Sequence, residues 1–109
     1  MNLSELYEYS KLDFIPQKIG YYYLYDKYKN FIYVGYTNDL NRRIKEHFSE
    51  SEENKIIKNK FKFFELHLTK TIDEAENKEG EKYDEYYLKY GKPPEANLIK
   101  PKKSNIEVS

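Results

Sequence analysis

Two runs of strand-forming residues, separated by a short polar turn, constrain this chain more than any other feature. Residues 19–26 read Ile-Gly-Tyr-Tyr-Tyr-Leu-Tyr-Asp and residues 31–36 read Phe-Ile-Tyr-Val-Gly-Tyr, with Lys27-Tyr28-Lys29-Asn30 between them. Aromatic and β-branched residues favour extended backbone, and a turn this short joins antiparallel neighbours, so 19–36 is expected to form a β-hairpin. Alternation along the second strand puts Phe31, Tyr33 and Gly35 on one face and Ile32 and Val34 on the other. Seven tyrosines lie between positions 21 and 36. That is more hydroxyl than an apolar core needs, and a buried hydroxyl needs a partner.

Helical periods follow the hairpin. Thr37 or Asn38 can cap a first helix, with Asp39 in its first turn and Leu40, Ile44 and Phe48 on its apolar stripe. Ser49 with Glu52 has the spacing of a capping box for a second short helix over 50–59, burying Ile56 and Ile57. Residues 61–69 read as a third strand. Thr71 with Glu74 opens a long helix that runs to about Tyr90, where Gly91, Pro93 and Pro94 end it. Before the hairpin lies a polar and aromatic lead-in with a short helix, capped by Ser4 and ended by Pro16. The tail is expected to dock as far as Ile99 and fray beyond Lys102. The fold class is therefore α+β: a small three-stranded antiparallel sheet flanked by helices, in the order β-β-α-α-β-α. The division is a lead-in (1–13), one domain (14–99) and a tail (100–109).

Composition excludes several classes. The chain has 109 residues and no cysteine, so it has neither a disulfide framework nor a Cys-ligated zinc or iron–sulfur site. No apolar run is long enough to span a membrane. Met1 to Glu5 lack the basic start and apolar stretch of a secretory signal, so the expected location is the cytoplasm. Nineteen basic and nineteen acidic residues give zero net charge, which argues against nucleic-acid binding by bulk electrostatics. The middle of the chain is nevertheless locally basic, and the only two arginines are adjacent, Arg42 and Arg43. An arginine's planar fork grips phosphate bidentately, as lysine cannot.

Candidate chemistry sits on two helices. At about 100° per residue, Ile72, Ala75, Tyr83, Tyr86, Tyr87 and Tyr90 share one side of the long helix, with Glu79 in their midst and Glu81 and Glu85 opposite. An acid in the middle of an apolar stripe needs a cation or donors. It is either a divalent-metal ligand or acid/base group, or one half of a structural salt bridge. On the first helix Arg43 and His47 are four apart and share one edge; such a pair can hold a phosphate or form a solvated basic edge. Lys45, Lys55 and Lys58, with Arg42, could track a nucleic-acid backbone or simply be solvated.

Taken together these residues resemble a known family. Gly20-Tyr21-Tyr22 followed by Tyr33-Val34-Gly35 is similar to the paired signature of the GIY-YIG nucleases. Residues 36–47 continue like that family's "Y-(I/V)-G-x-T-x-x-L-x-x-R-x-x-x-H" run, which assigns Arg43 and His47. Glu74-Ala75 with Glu79 resembles "E-A-x-x-x-E", and Pro94 with Asn97 resembles the closing "P-x-x-N". Two departures are visible. Tyr21 stands where the signature has Ile or Val, and Glu79 is further from Asn97 than in compact members. Glu85 would restore that spacing but lies on the opposite face of the helix.

The resemblance implies a metal-dependent endonuclease that hydrolyses DNA phosphodiesters with one Mg²⁺ or Mn²⁺. It implies Glu79 as the metal ligand and Tyr33 as general base or water-orienting group, acidified by nearby positive charge. Tyr22 would complete the hydrogen bonding, Arg43 would clamp phosphate, and His47 would donate to phosphate or relay a proton. Asn97 would position the metal site or the backbone. For target choice, weak sequence specificity, a structure-specific target, or a partner subunit or homodimer are all compatible. A second reading is a catalytically inactive nucleic-acid-binding module that uses its tyrosines as a stacking platform. A third is a protein-interaction module using the exposed aromatics.

Overall fold

A computed structural model describes residues 5–107. The elements are β1 (Tyr7–Glu8), a 3₁₀ segment (Tyr9–Phe14), β2 (Gly20–Tyr25), β3 (Phe31–Thr37), α1 (Leu40–Phe48), α2 (Lys55–Lys60), β4 (Phe63–Leu68) and α3 (Ile72–Tyr90). The strands form one sheet in the order β1-β4-β2-β3, antiparallel throughout. The expected hairpin and third strand are present, and the sheet has four strands rather than three. The extra strand is the short β1, where Tyr7 and Glu8 pair with Phe64 and Phe63. It comes from the lead-in, which holds a strand and a 3₁₀ segment in place of the single expected helix. Ser4 lies outside the described residues.

The sheet has a layer on each face. On one side α1, α2 and the lead-in cover a core that includes Tyr22, Leu24, Ile32, Leu40, Ile44, Ile57, Phe64 and Leu66. On the other, α3 covers a smaller cluster of Tyr23, Val34 and Tyr83. Simple alternation fails in β3. The register shifts between Leu24 and Tyr25, which pair with Tyr33 and Phe31 respectively. Ile32 is therefore the extra residue of a β-bulge. The bulge turns Phe31 toward α3, stacked on Tyr86, and leaves Ile32 with Tyr33 on the α1 side.

Local chemistry sets the helix ends. Asp39, rather than Thr37 or Asn38, is the cap of α1, and its side chain accepts from the Arg42 N–H at 3.1 Å. Thr37 Oγ1 accepts in turn from the Asp39 N–H. The expected Ser49–Glu52 box does not form. Asn54 caps α2 instead, accepting from the Ile56 and Ile57 N–H groups, and Glu52 is committed elsewhere. Thr71 caps α3 as expected. Gly91 ends it in the left-handed region (φ 72°), where glycine carries no Cβ penalty.

The ends of the expected α3 stripe are solvent-facing: Ile72 is 40% and Tyr90 53% exposed, because the helix overhangs the small sheet. The tail supplies burial that the stripe did not predict. A Cβ on Gly80 would lie 2.6 Å from the Lys103 backbone, and Asp84 accepts from the Ser104 hydroxyl and the Asn105 N–H. The tail is thus held against α3 past Lys102, while Leu98 and Ile99 are exposed.

β3 is an edge strand, and residues 94–98 close that edge. The Ala96 N–H donates to Ile32 O at 2.8 Å. Asn97 then pairs with Val34 on both sides: Val34 N–H donates to Oδ1 and Nδ2–H donates to Val34 O, each at 2.9 Å. A side-chain amide here does the work of a neighbouring strand.

Candidate active site

The β3 edge borders a cleft between α1 and α3, lined by Tyr22, Tyr33, Arg42, Arg43 and Glu79 among others. An adjoining recess shares Tyr33 and Glu79 and adds Glu76 and Asn97. The hairpin supplies both tyrosines from one face of the sheet. Tyr22 sits directly opposite Gly35, and that glycine is a steric necessity. A Cβ there would lie 2.5 Å from the Tyr22 hydroxyl oxygen and 2.8 Å from the Tyr33 ring. Without a side chain at 35, the Tyr22 hydroxyl can lie beside Tyr33.

From Tyr22 a buried chain of hydrogen bonds runs inward. Its hydroxyl is 2.7 Å from His47 Nε2, and His47 Nδ1 is 2.8 Å from Glu52 Oε2. Burial first, then the Arg43 charge, push the His47 imidazolium down to about 4, against the opposing pull of Glu52, so the ring is neutral at pH 7. A carboxylate only accepts, so the single ring proton sits on Nδ1 and faces Glu52. Nε2 is then an acceptor, and the Tyr22 hydroxyl donates to it. The Tyr22 oxygen keeps its lone pairs, with the Arg43 guanidinium and the Tyr33 phenol near enough to act on it electrostatically. His47 is only 2% exposed. It lies behind Tyr22 and does not line the cleft, so it has no direct route to a phosphate there.

Glu79 lies across the cleft on α3, six residues and about 120° around the helix from the exposed Glu85, which is ion-paired with Lys82. Glu79 is 9% exposed and forms no hydrogen bond or ion pair with any other described residue. Burial, and secondarily the charge of Glu76, push its carboxyl up to about 7. Glu76 itself accepts from the Tyr36 hydroxyl at 3.2 Å. Tyr33 differs from expectation. Its phenol is raised above its ordinary value, because burial and then the Glu79 charge outweigh the acidifying Arg43 and the Tyr22 hydrogen bond.

The arginines divide their tasks. Arg43, half-buried, reaches Tyr22 and is 3.6 Å from Glu46. Arg42 lies further out, bonded to Asn38 Oδ1 and Glu46. The lysines are not gathered into the cleft. Lys45 pairs with Asp13, Lys58 donates to the Glu50 carbonyl, and Lys55 is exposed in the first turn of α2. Asn97 touches the cleft while its amide is occupied by Val34. Glu52 had no signal in the sequence beyond its spacing from Ser49, which pointed to a cap. Five residues from His47, it shares no helix face with it. The turn after α1 brings the two together.

Chemically, the cleft combines a buried acid with no hydrogen-bond or ion-pair partner among the described residues, a guanidinium and two phenols on a proton-accepting chain. Glu79 is the residue able to hold a hard cation, and no cluster of three or more His, Asp or Glu forms a ready cage among the described residues. The GIY-YIG catalytic domain profile matches residues 18–104. This chain belongs to the GIY-YIG family. It is a GIY-YIG-type nuclease, and no helix among its described residues is long and apolar enough to cross a membrane. Among solved structures it is similar to the GIY-YIG N-terminal endonuclease domain of UvrC from Thermotoga maritima bound to its catalytic magnesium. The identity is 22%, with a TM-score of 0.62 over 82% of this chain and 93% of that one. A tyrosine-to-phenylalanine point mutant of the same domain, bound to its catalytic divalent cation, matches at 22% identity and TM-score 0.63, over 83% and 93% of the two chains. No curated protein matches this GIY-YIG chain by sequence.

Proposed function

We propose that this GIY-YIG domain hydrolyses DNA phosphodiester bonds with Mg²⁺ or Mn²⁺ at Glu79. The observation that carries the reading is Glu79 itself: a buried carboxylate with no partner among the described residues, facing an arginine and two tyrosines across one cleft. Such an acid fits a hard cation of the kind that takes one or two carboxylates and completes its shell with water and phosphate. When bound, the ion supplies charge stabilisation at the scissile phosphate and the leaving oxygen.

The residues of the chain do the rest. Arg43 holds a non-bridging phosphate oxygen with its fork. Tyr33 orients the attacking water by accepting from it. A neutral phenol cannot take a proton unless it passes one on. The Tyr33 proton moves to the Tyr22 oxygen, the Tyr22 proton moves to His47 Nε2, and the water's proton replaces the one that left Tyr33. The resulting imidazolium is held by Glu52. The new P–O bond forms as the ester P–O bond breaks, and the leaving oxygen takes a proton from solvent, leaving a phosphate monoester and a hydroxyl; the imidazolium then returns its proton to solvent through the same chain. His47 is neutral and so has a free lone pair to accept with, Glu52 offsets part of the cost that burial and Arg43 place on the imidazolium, and the ring's position behind Tyr22 excludes it from direct donation to phosphate. Asn97 keeps β3, and with it Tyr33, in place. A partner subunit or second copy would supply target selection.

Nicking of plasmid, flap and branched DNA with Mg²⁺ and with EDTA tests this. Metal-dependent cleavage lost in Glu79→Gln is expected. No cleavage of any substrate, or undiminished cleavage by Glu79→Gln, would overturn it. Salt-sensitive DNA binding without cleavage would favour the inactive module.

A further inference from the structure

We infer that Glu52 is a positioning residue for the nuclease reaction: it fixes which nitrogen of His47 carries the proton, and so the direction in which the Tyr33–Tyr22–His47 chain can pass protons. This rests on the relay above, but its first readout does not depend on cleavage.

The argument is one of donors and acceptors. Glu52 sits beneath His47 with both carboxylate oxygens used: Oε2 meets His47 Nδ1 at 2.8 Å, and Oε1 accepts from the Asn54 N–H at 3.0 Å. Its side chain is 8% exposed and that of His47 fully buried, so water does not substitute freely for either contact. The carboxylate can satisfy two donors at once because it has no hydrogens of its own. Asn54 is anchored in turn: it caps α2 through Oδ1 and donates from Nδ2 to Ala96 O at 2.9 Å. Glu52 is thereby held from the far side, by the segment that also positions Asn97.

A proton on Nδ1 leaves Nε2 bare, and the Tyr22 hydroxyl must donate inward. Were the proton on Nε2, that nitrogen would donate to the Tyr22 oxygen. The Tyr22 hydrogen would then swing toward the Tyr33 oxygen, since the Arg43 guanidinium has no acceptor, and the chain could no longer accept a proton from the cleft. Glu52 thus selects the working orientation without touching substrate.

Glu52→Gln tests this, because an amide cannot face two donors with oxygen. Either its NH₂ faces Nδ1 and drives the proton to Nε2, or it faces the Asn54 N–H and disrupts that contact. Nitrogen-15 NMR of the histidine rings at pH 7 reports the tautomer directly. The wild type should carry the His47 proton on Nδ1. Glu52→Gln should shift population to Nε2–H and lower kcat roughly 10- to 100-fold with KM unchanged. Glu52→Asp, which keeps an acceptor, should retain Nδ1–H and recover part of the rate; it also serves if the glutamine variant does not fold. An Nε2–H tautomer in the wild type would overturn the inference, as would a Glu52→Gln enzyme with unchanged tautomer and kcat. If neither wild type nor variant cleaves DNA but the tautomers behave as stated, the relay reading fails while the positioning of His47 by Glu52 stands.

Discussion

Replacing Glu79 with glutamine should abolish cleavage and, in metal-free protein, make the fold more stable. In the unfolded chain Glu79 titrates near 4.5; in the folded protein burial and Glu76 raise it to about 7. A group whose folded value is raised stabilises the fold relative to its ionised state below the unfolded value. That contribution is lost as pH rises through the folded value. Above pH 7, wild-type folding must therefore bury a carboxylate without a partner. The shift corresponds to about 3 kcal/mol at most, since Glu79 keeps a solvent path through the cleft. Glutamine has nearly the same shape and no charge, so the variant escapes this cost. Denaturant unfolding in EDTA should find it about 2–3 kcal/mol more stable at pH 8, or roughly 10–20 °C in Tm for a domain of this size. The gap should narrow at pH 5 and close below pH 4.5. Mg²⁺ should raise the wild-type midpoint at pH 8 and leave the variant unmoved. A variant no more stable than wild type at pH 8, or a gap that ignores pH, would refute the reasoning.

Three other substitutions probe the frame. Asn97→Ala removes both hydrogen bonds to Val34 and leaves a buried edge-strand N–H and C=O unpaired; urea unfolding should report a loss of about 2–4 kcal/mol. Gly35→Ala forces a methyl against the Tyr22 hydroxyl and the Tyr33 ring. It should destabilise by about 1–3 kcal/mol, with a larger fall in kcat than residual folding explains, measured at a temperature where the variant is folded. Arg43→Lys retains the charge but loses the fork, so kcat/KM should drop roughly 10- to 100-fold with Tm nearly unchanged.

Much of the site could be read in the sequence because its residues sit at rigid local spacings. Glu79 stood out because helical period alone places it among buried neighbours and puts Glu85 outside. Alternation put Tyr33 and Gly35 on one strand face and helical period put Arg43 and His47 on one edge, while the roles of Tyr22 and Tyr33 came from the resemblance to the family's paired signature. What escaped was set by contacts distant in sequence. The four-stranded sheet needed β1 to cross onto β4. The bulge at Ile32 defeated simple alternation. Asp39 and Asn54, not their neighbours, took the caps, because competing polar side chains of similar propensity are chosen by where the chain must turn.

The electrostatics needed the folded protein as well. The family resemblance implied that nearby positive charge would acidify Tyr33. In the fold, burial and the opposed Glu79 carboxylate outweigh it, a balance that depends on distances between β3, α1 and α3. Local order in the chain determined a hairpin with two phenols, a helix with an arginine and a histidine, and a long helix with one inward acid. Those patterns follow from backbone period, except where the bulge at Ile32 interrupts it. Only the tertiary structure decided that Glu52 holds His47, that Asn97 pairs with an edge strand, and that Glu79 has no partner among the described residues. Hydrogen bonds and desolvation depend on atoms a few ångströms apart, and the chain brings those atoms together only after it has folded.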